Sequence, residues 1–153
     1  MEAYNRYGAA LVRKAERILG RRSDAEDVVH TLFVDLLSRG EAGQSLAYLY
    51  RAVTHRCFNV LRDTRTRAQL LNVHGDQLQA PARSTLEGRT IDRDLIVKLL
   101  DQLDEKTVEV LVYRFVDDMT QDEVAEVAKT SRKTVQKRLA RARETVLSLG
   151  GGS

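Results

Sequence analysis

Apolar positions in this chain recur every three or four residues almost throughout, and no stretch alternates with a period of two. That is the pattern of amphipathic helices rather than half-buried strands. Tyr7, Leu11, Ile18 and Leu19 predict a first helix ending near Gly20. Val28, Val29, Leu32, Phe33 and Leu36 predict a second, and Leu46, Leu49, Tyr50, Val53, Cys57, Val60 and Leu61 a third. Ser23, with Glu26 three residues on, reads as a capping box for the second helix. Ser45 reads as a cap for the third, and Gly40 and Gly43 break the chain between them.

Between Ala68 and Thr90 the periodicity dissolves into Gly75, Pro81, Gly88 and scattered Gln, Asn and Ser, which reads as a flexible linker. Ile91, Leu95, Leu99 and Leu103 restart the helical period, and Val108, Leu111, Val112 and Phe115 continue it on a further helix. The expected architecture is all-α: two small helical domains, 1–67 and 91–149, joined by the linker 68–90, with Gly150–Ser153 as a flexible tail. The 153-residue length accommodates two such modest cores.

The last part of the second domain has a sharper pattern. Thr120-Gln121-Asp122-Glu123 is a capping box, with Val124, Val127 and Ala128 on the inner face of the short helix it opens. After Lys129 and Thr130, Ser131 is placed to cap a second helix carrying Val135, Leu139, Ala142, Val146 and Leu149. Its other face presents Lys133, Lys137 and Arg141, flanked by Arg132, Gln136 and Arg138. Short helix, tight turn, longer helix with one apolar and one basic face: this is a helix-turn-helix, whose second helix lies in the DNA major groove. Arg132, Lys133 and Gln136 are the candidates for base readout; Lys137, Arg138 and Arg141 are the candidates for phosphate contact.

Charge supports this by position more than by total. The chain carries a net charge of only +3. Residues 1–67 are net +4, residues 91–128 net −7 and residues 129–149 net +6, with Glu144 the single acid in that last stretch. A charge run alone is more often a solvated helix face, but the caps and the turn around this one favour nucleic acid. The remaining composition excludes other classes. One cysteine rules out a disulfide framework, and one proline with no tryptophan argues against a β-sandwich. No run approaches a membrane span, and the N-terminal stretch is charged, so no membrane insertion and a cytoplasmic location are expected.

The stretch LDEKTVEVLVYRFVDDMTQDEVAEVAKTSRKTVQKRLARARETV (Leu103–Val146) resembles region four of an extracytoplasmic-function sigma factor of bacterial RNA polymerase. Tyr7–Arg67 resembles region two of that family. Within it DAEDVVHTLFVDLL (Asp24–Leu37) is similar to the polymerase-binding helix, and AYLYRAVTHRCFNVLRDTRTR (Ala47–Arg67) to the promoter-melting helix. The ordered set covers about two-thirds of the chain.

The resemblance implies a polymerase specificity subunit. Region two docks on the clamp helices of the beta-prime subunit, with Glu26, Asp27 and His30 as the contacts, and holds the −10 element. Arg51, His55, Arg56, Asn59, Arg62 and Arg65 supply the polar part of that DNA surface. Region four binds the −35 element and the beta-subunit flap, and the linker threads towards the RNA exit path. An anti-sigma factor is the implied regulator. The chain departs from the family pattern at His30, Thr31, His55, Asn59, Lys129 and Thr130. Lys129 takes the place of the usual turn glycine, so either it tolerates that backbone geometry or the turn differs slightly.

Other residues read as structural. Glu26 and His30 lie one helical turn apart, but the three histidines are dispersed over different segments, so no metal site is expected. Cys57 lies on an apolar stripe and reads as core. No phosphate-binding glycine loop or nucleophile-base pair is present, so neither a cofactor nor enzymatic activity is expected. Two alternatives to the sigma factor stay open: a stand-alone helix-turn-helix regulator, and a sigma-like decoy that binds polymerase or an anti-sigma factor without opening DNA. The basic third helix and the acids at Asp24–Asp27 count against the first of these.

Overall fold

A computed structural model of the chain describes residues 2–41, 43–71, 85–86 and 89–151, with the side chains of 2, 64–71, 85, 150 and 151 outside the description. The chain divides into two compact units, 1–80 and 81–153.

The first unit is a three-helix bundle: α1 (Glu2–Leu19), α2 (Arg22–Ser38) and α3 (Leu46–Leu71), each packed on the other two. Its core holds Leu11, Ile18 and Leu19 of α1, Val28, Val29, Leu32, Phe33 and Leu36 of α2, and Leu49, Val53, Cys57 and Leu61 of α3. These are the predicted stripes with some adjustments. Tyr7, Tyr50 and Val60 are half-buried, Leu46 is exposed, and Thr54 and Phe58 are buried as well. Thr54 is tolerated inside because its hydroxyl donates to the Tyr50 carbonyl one turn back, at 2.8 Å. Lys14 is fully buried, and its ammonium lies 5.0 Å from the centre of the Tyr50 ring. Such a cation–π contact partly offsets the loss of water around the charge.

Gly20, at φ 82°, turns the chain out of α1, its N–H donating to the Glu16 carbonyl. The turn is shorter than the sequence suggests. Arg21 is the N-cap of α2, with no side-chain cap, and Ser23 lies inside the first turn. Glu26 accepts from Arg22 at 3.3 Å instead of closing a box with Ser23. The cause is that one residue suffices between the glycine turn and the new helix, so the helix starts ahead of the residue best suited to cap it. Ser45 does cap α3, accepting from the Tyr48 N–H at 3.2 Å.

The second unit begins with a two-residue antiparallel pair, β1 (Thr85–Leu86) and β2 (Arg89–Thr90). This pair falls inside the expected linker, and strands so short leave no alternation to detect. Most of the remaining linker lies outside the described residues. There follow α4 (Arg93–Gln102), α5 (Glu105–Leu111), a π-helical turn (Val112–Val116), α6 (Gln121–Ala128) and α7 (Arg132–Gly151). Asp92 caps α4 by accepting from the Leu95 N–H at 3.0 Å.

α7 packs on α4, α5 and α6 through Val135, Leu139, Ala142 and Val146. The helix runs two residues into the expected glycine tail, since a glycine costs a helix only about 1 kcal/mol; residues 152 and 153 lie outside the described residues. The π turn shifts the phase of the helical face. Tyr113 becomes fully buried, its hydroxyl donating to Glu109 Oε2 at 2.7 Å, while Phe115, expected in the core, is half-exposed between the guanidiniums of Arg114 and Arg143.

Candidate nucleic-acid interface

The turn between α6 and α7 is built from local hydrogen bonds that the residue types require. Thr120 Oγ1 accepts from the Glu123 N–H at 3.1 Å, and Glu123 Oε1 accepts from the Thr120 N–H at 2.8 Å, completing the capping box. α6 closes at Lys129, which stands at φ 56°, ψ 50°. The Thr130 N–H then bonds to the Ala125 carbonyl at 3.0 Å. Ser131 Oγ accepts from the Thr134 N–H at 3.1 Å, and α7 starts at Arg132. Only Lys129–Ser131 separate the two helices, which sets the angle at which α7 leaves α6.

Along α7, Arg132, Lys133, Gln136, Lys137 and Arg141 are exposed and Arg138 is half-buried. At about 100° per residue, Lys133, Gln136, Lys137 and Arg141 share the face opposite the buried Val135, Leu139, Ala142 and Val146. Ala140, also exposed, lies in the middle of that face and leaves room for a partner to approach the backbone. Two side chains from α6, which sequence reasoning did not single out, meet this face. Asp122 Oδ1 pairs with the Arg132 guanidinium at 3.2 Å, and Gln121 Oε1 accepts from Gln136 Nε2 at 3.2 Å. Partners ten and fifteen residues apart on different helices leave no periodic trace in the sequence.

In the first unit, Tyr48, Arg51, His55, Asn59 and Arg62 form an outward stripe along α3. The Arg51 guanidinium lies 5.8 Å from the Tyr48 ring centre, and Arg62 donates to Asn59 Oδ1 at 3.4 Å. Arg56 stands apart from this stripe, turned to Asp35 of α2 at 2.6 Å. The Arg65 side chain lies outside the described residues. On α2, Glu26, Asp27 and His30 are exposed on one face, and Val34 and Leu37 continue that face, 49% and 43% exposed. Sequence reasoning missed these two apolar residues, though the phase of the buried stripe places both outside it. Basic helical stripes and an exposed acidic-then-apolar helix face suit nucleic acid on the one hand and a protein partner on the other.

Two family models match the chain: Sigma-70 region 2 over residues 3–67 and Sigma-70, region 4 over residues 93–146. Together they span well over half of it. The chain belongs to the sigma-70 family. It is an RNA polymerase sigma factor, acting with polymerase on promoter DNA. Among solved structures, its fold is similar to the sigma factor RpoE from Bartonella quintana, determined in complex with the anti-sigma factor NepR. That match covers 97% of this chain and 94% of the other, at 18% identity and a TM-score of 0.55. No curated protein sequence matches this sigma factor. Among its described residues, no helix is long and apolar enough to cross a membrane, and no three His, Cys, Asp or Glu side chains gather as metal ligands would.

Proposed function

We propose that this sigma factor reads its promoter with two helical faces and docks on polymerase with a third. In this reading residues 1–67 are the region-two domain, 68–90 the linker and 91–149 the region-four domain. The α7 face of Lys133, Gln136, Lys137 and Arg141 enters the major groove of the −35 element, with Arg132 and Arg138 beside it. The α3 stripe of Arg51, His55, Asn59 and Arg62, with Arg56 and Arg65 at its flanks, receives the unpaired strand of the −10 element, Tyr48 offering a ring on which a base stacks. The α2 face of Glu26, Asp27, His30, Val34 and Leu37 meets the clamp helices of the beta-prime subunit, and region four rests on the beta flap. The protein works in the cytoplasm and lends specificity to an enzyme that performs all the chemistry.

The observation that carries this reading is the exposed basic face of α7, held at a fixed angle by the capped three-residue turn. The RpoE structure, a complex with an anti-sigma factor, supports a similar regulator here: a protein that covers the α2 face keeps the sigma factor from polymerase. Run-off transcription with purified core polymerase and genomic promoter fragments tests the proposal. Sequence-specific initiation that weakens steeply with salt is the expected result. Core binding without initiation favours a decoy instead.

A further inference from the structure

The side-chain amides of Gln136 on α7 and Gln121 on α6 are joined by a hydrogen bond. Gln136 is exposed one turn into the helix, beside Lys133 on the outward face. One hydrogen of its Nε2 is taken by Gln121 Oε1, at 3.2 Å. A primary amide has two N–H donors and a carbonyl acceptor with two lone pairs. After this bond Gln136 retains one N–H and its carbonyl oxygen, and the fixed amide plane presents them side by side. One donor beside one acceptor is the complement of the adenine major-groove edge, where N7 accepts and N6–H₂ donates. Guanine presents two acceptors there and is left with the Gln136 carbonyl facing one of them.

Gln121 is the first residue of α6, next to the capped end at Thr120. Its Oε1 accepts from Gln136, and its own N–H₂ group carries two further donors. Such donors suit a phosphate oxygen at the edge of the groove. Arg132 is held differently: its guanidinium is paired with the Asp122 carboxylate, which reduces its availability for a base edge. Lys133, exposed on the same face, carries only donors, as the two acceptors of guanine require.

We infer that Gln136, oriented by Gln121, reads an adenine in the upstream promoter element, and that Gln121 is a positioning residue that also holds a phosphate. The inference rests on the assignment of α7 to the −35 element and adds to it the base that is read and the α6 residue that sets the reading.

The test uses holoenzyme reconstituted from the full-length sigma factor and core polymerase, on a promoter library randomised through the upstream element, with bound templates sequenced. The wild type favours adenine by roughly tenfold at one position. Gln136→Ala reduces that preference below about twofold at that position only. Gln121→Ala lowers it by at least about threefold, since the amide is then free to rotate. Gln121→Glu keeps an acceptor for Gln136 but sets a negative charge against the phosphate. It retains the adenine preference while weakening all templates alike. An adenine preference unmoved by Gln136→Ala or Gln121→Ala, or a different base at the position that depends on Gln136, overturns the inference. If the wild-type holoenzyme shows no preference at any upstream position, the assignment of α7 to the −35 element fails instead.

Discussion

Arg56 of α3 and Asp35 of α2 form a 2.6 Å salt bridge between the helix assigned to promoter DNA and the helix assigned to polymerase. Both side chains remain partly exposed, 31% and 47%, so water and salt screen the pair and it contributes modestly to stability. The contact turns Arg56 towards α2, at one flank of the Arg51, His55, Asn59 and Arg62 stripe that is proposed to receive DNA. A double-mutant cycle with Asp35→Ala and Arg56→Ala, followed by urea unfolding, should give a coupling of about 0.5–1 kcal/mol. That coupling should shrink at high salt. A coupling of zero would leave Arg56 free for DNA.

Lys129 holds a left-handed conformation that costs a residue with a side chain about 1–2 kcal/mol. Lys129→Gly should therefore raise stability by about 1 kcal/mol, and Lys129→Val should lower it, because β-branching is still less compatible with positive φ. Thermal unfolding of the two variants beside the wild type measures both. If the glycine variant is less stable, the turn does not carry this strain.

Val34 and Leu37 are exposed on the α2 face that continues Glu26, Asp27 and His30. Val34→Asp should change stability by less than about 0.5 kcal/mol, as exposed positions do. The same change should weaken core-polymerase binding at least tenfold if this face meets the clamp, where an apolar contact would be replaced by a buried charge. Titration of labelled sigma factor with core polymerase reads the effect. Unchanged affinity would move the docking surface elsewhere.

Lys133→Ala should weaken binding of the holoenzyme to upstream promoter DNA and leave core binding intact. Lys137→Ala, at a position proposed to face a phosphate, should also reduce the salt dependence of binding. The log–log slope should fall by close to one unit for each phosphate the protein ceases to neutralise. Equal weakening of core binding in Lys133→Ala would show that the two surfaces are not separate.

Tyr113 donates to Glu109 inside the core of the second unit. Tyr113→Phe keeps the ring and removes one hydrogen bond from a buried carboxylate, and should cost about 1–3 kcal/mol in chemical unfolding. A neutral result would mean that the remaining surroundings of Glu109 satisfy it fully.

The helices, most of their caps and the basic face of α7 are legible in the chain because each depends on residues three or four apart. The capping box at Thr120 and Glu123, the cap at Ser131 and the spacing of Val135, Leu139, Ala142 and Val146 are all of this local kind. The demand on Lys129 is legible only through the family resemblance, which puts a glycine at that turn position. Ser23 misleads because its neighbours allow a cap, while the shortness of the α1–α2 turn, a property of how the two helices pack, starts the helix before it. Phe115 falls inside by periodicity because a regular helix puts it there. The π turn changes the phase, sending Tyr113 inward and leaving Phe115 between two arginines.

By itself, then, the sequence determined an all-α chain of two domains, the order of its helices and which helix carries the basic face. Backbone hydrogen bonding and apolar periodicity act over one or two turns and so are written in neighbouring residues. Only the tertiary structure decided that Arg56 turns to Asp35, that Arg132 is paired with Asp122 and that Gln136 donates to Gln121. Each of those contacts joins side chains on different helices, and the packing of two buried faces sets which exposed side chains come within hydrogen-bond reach.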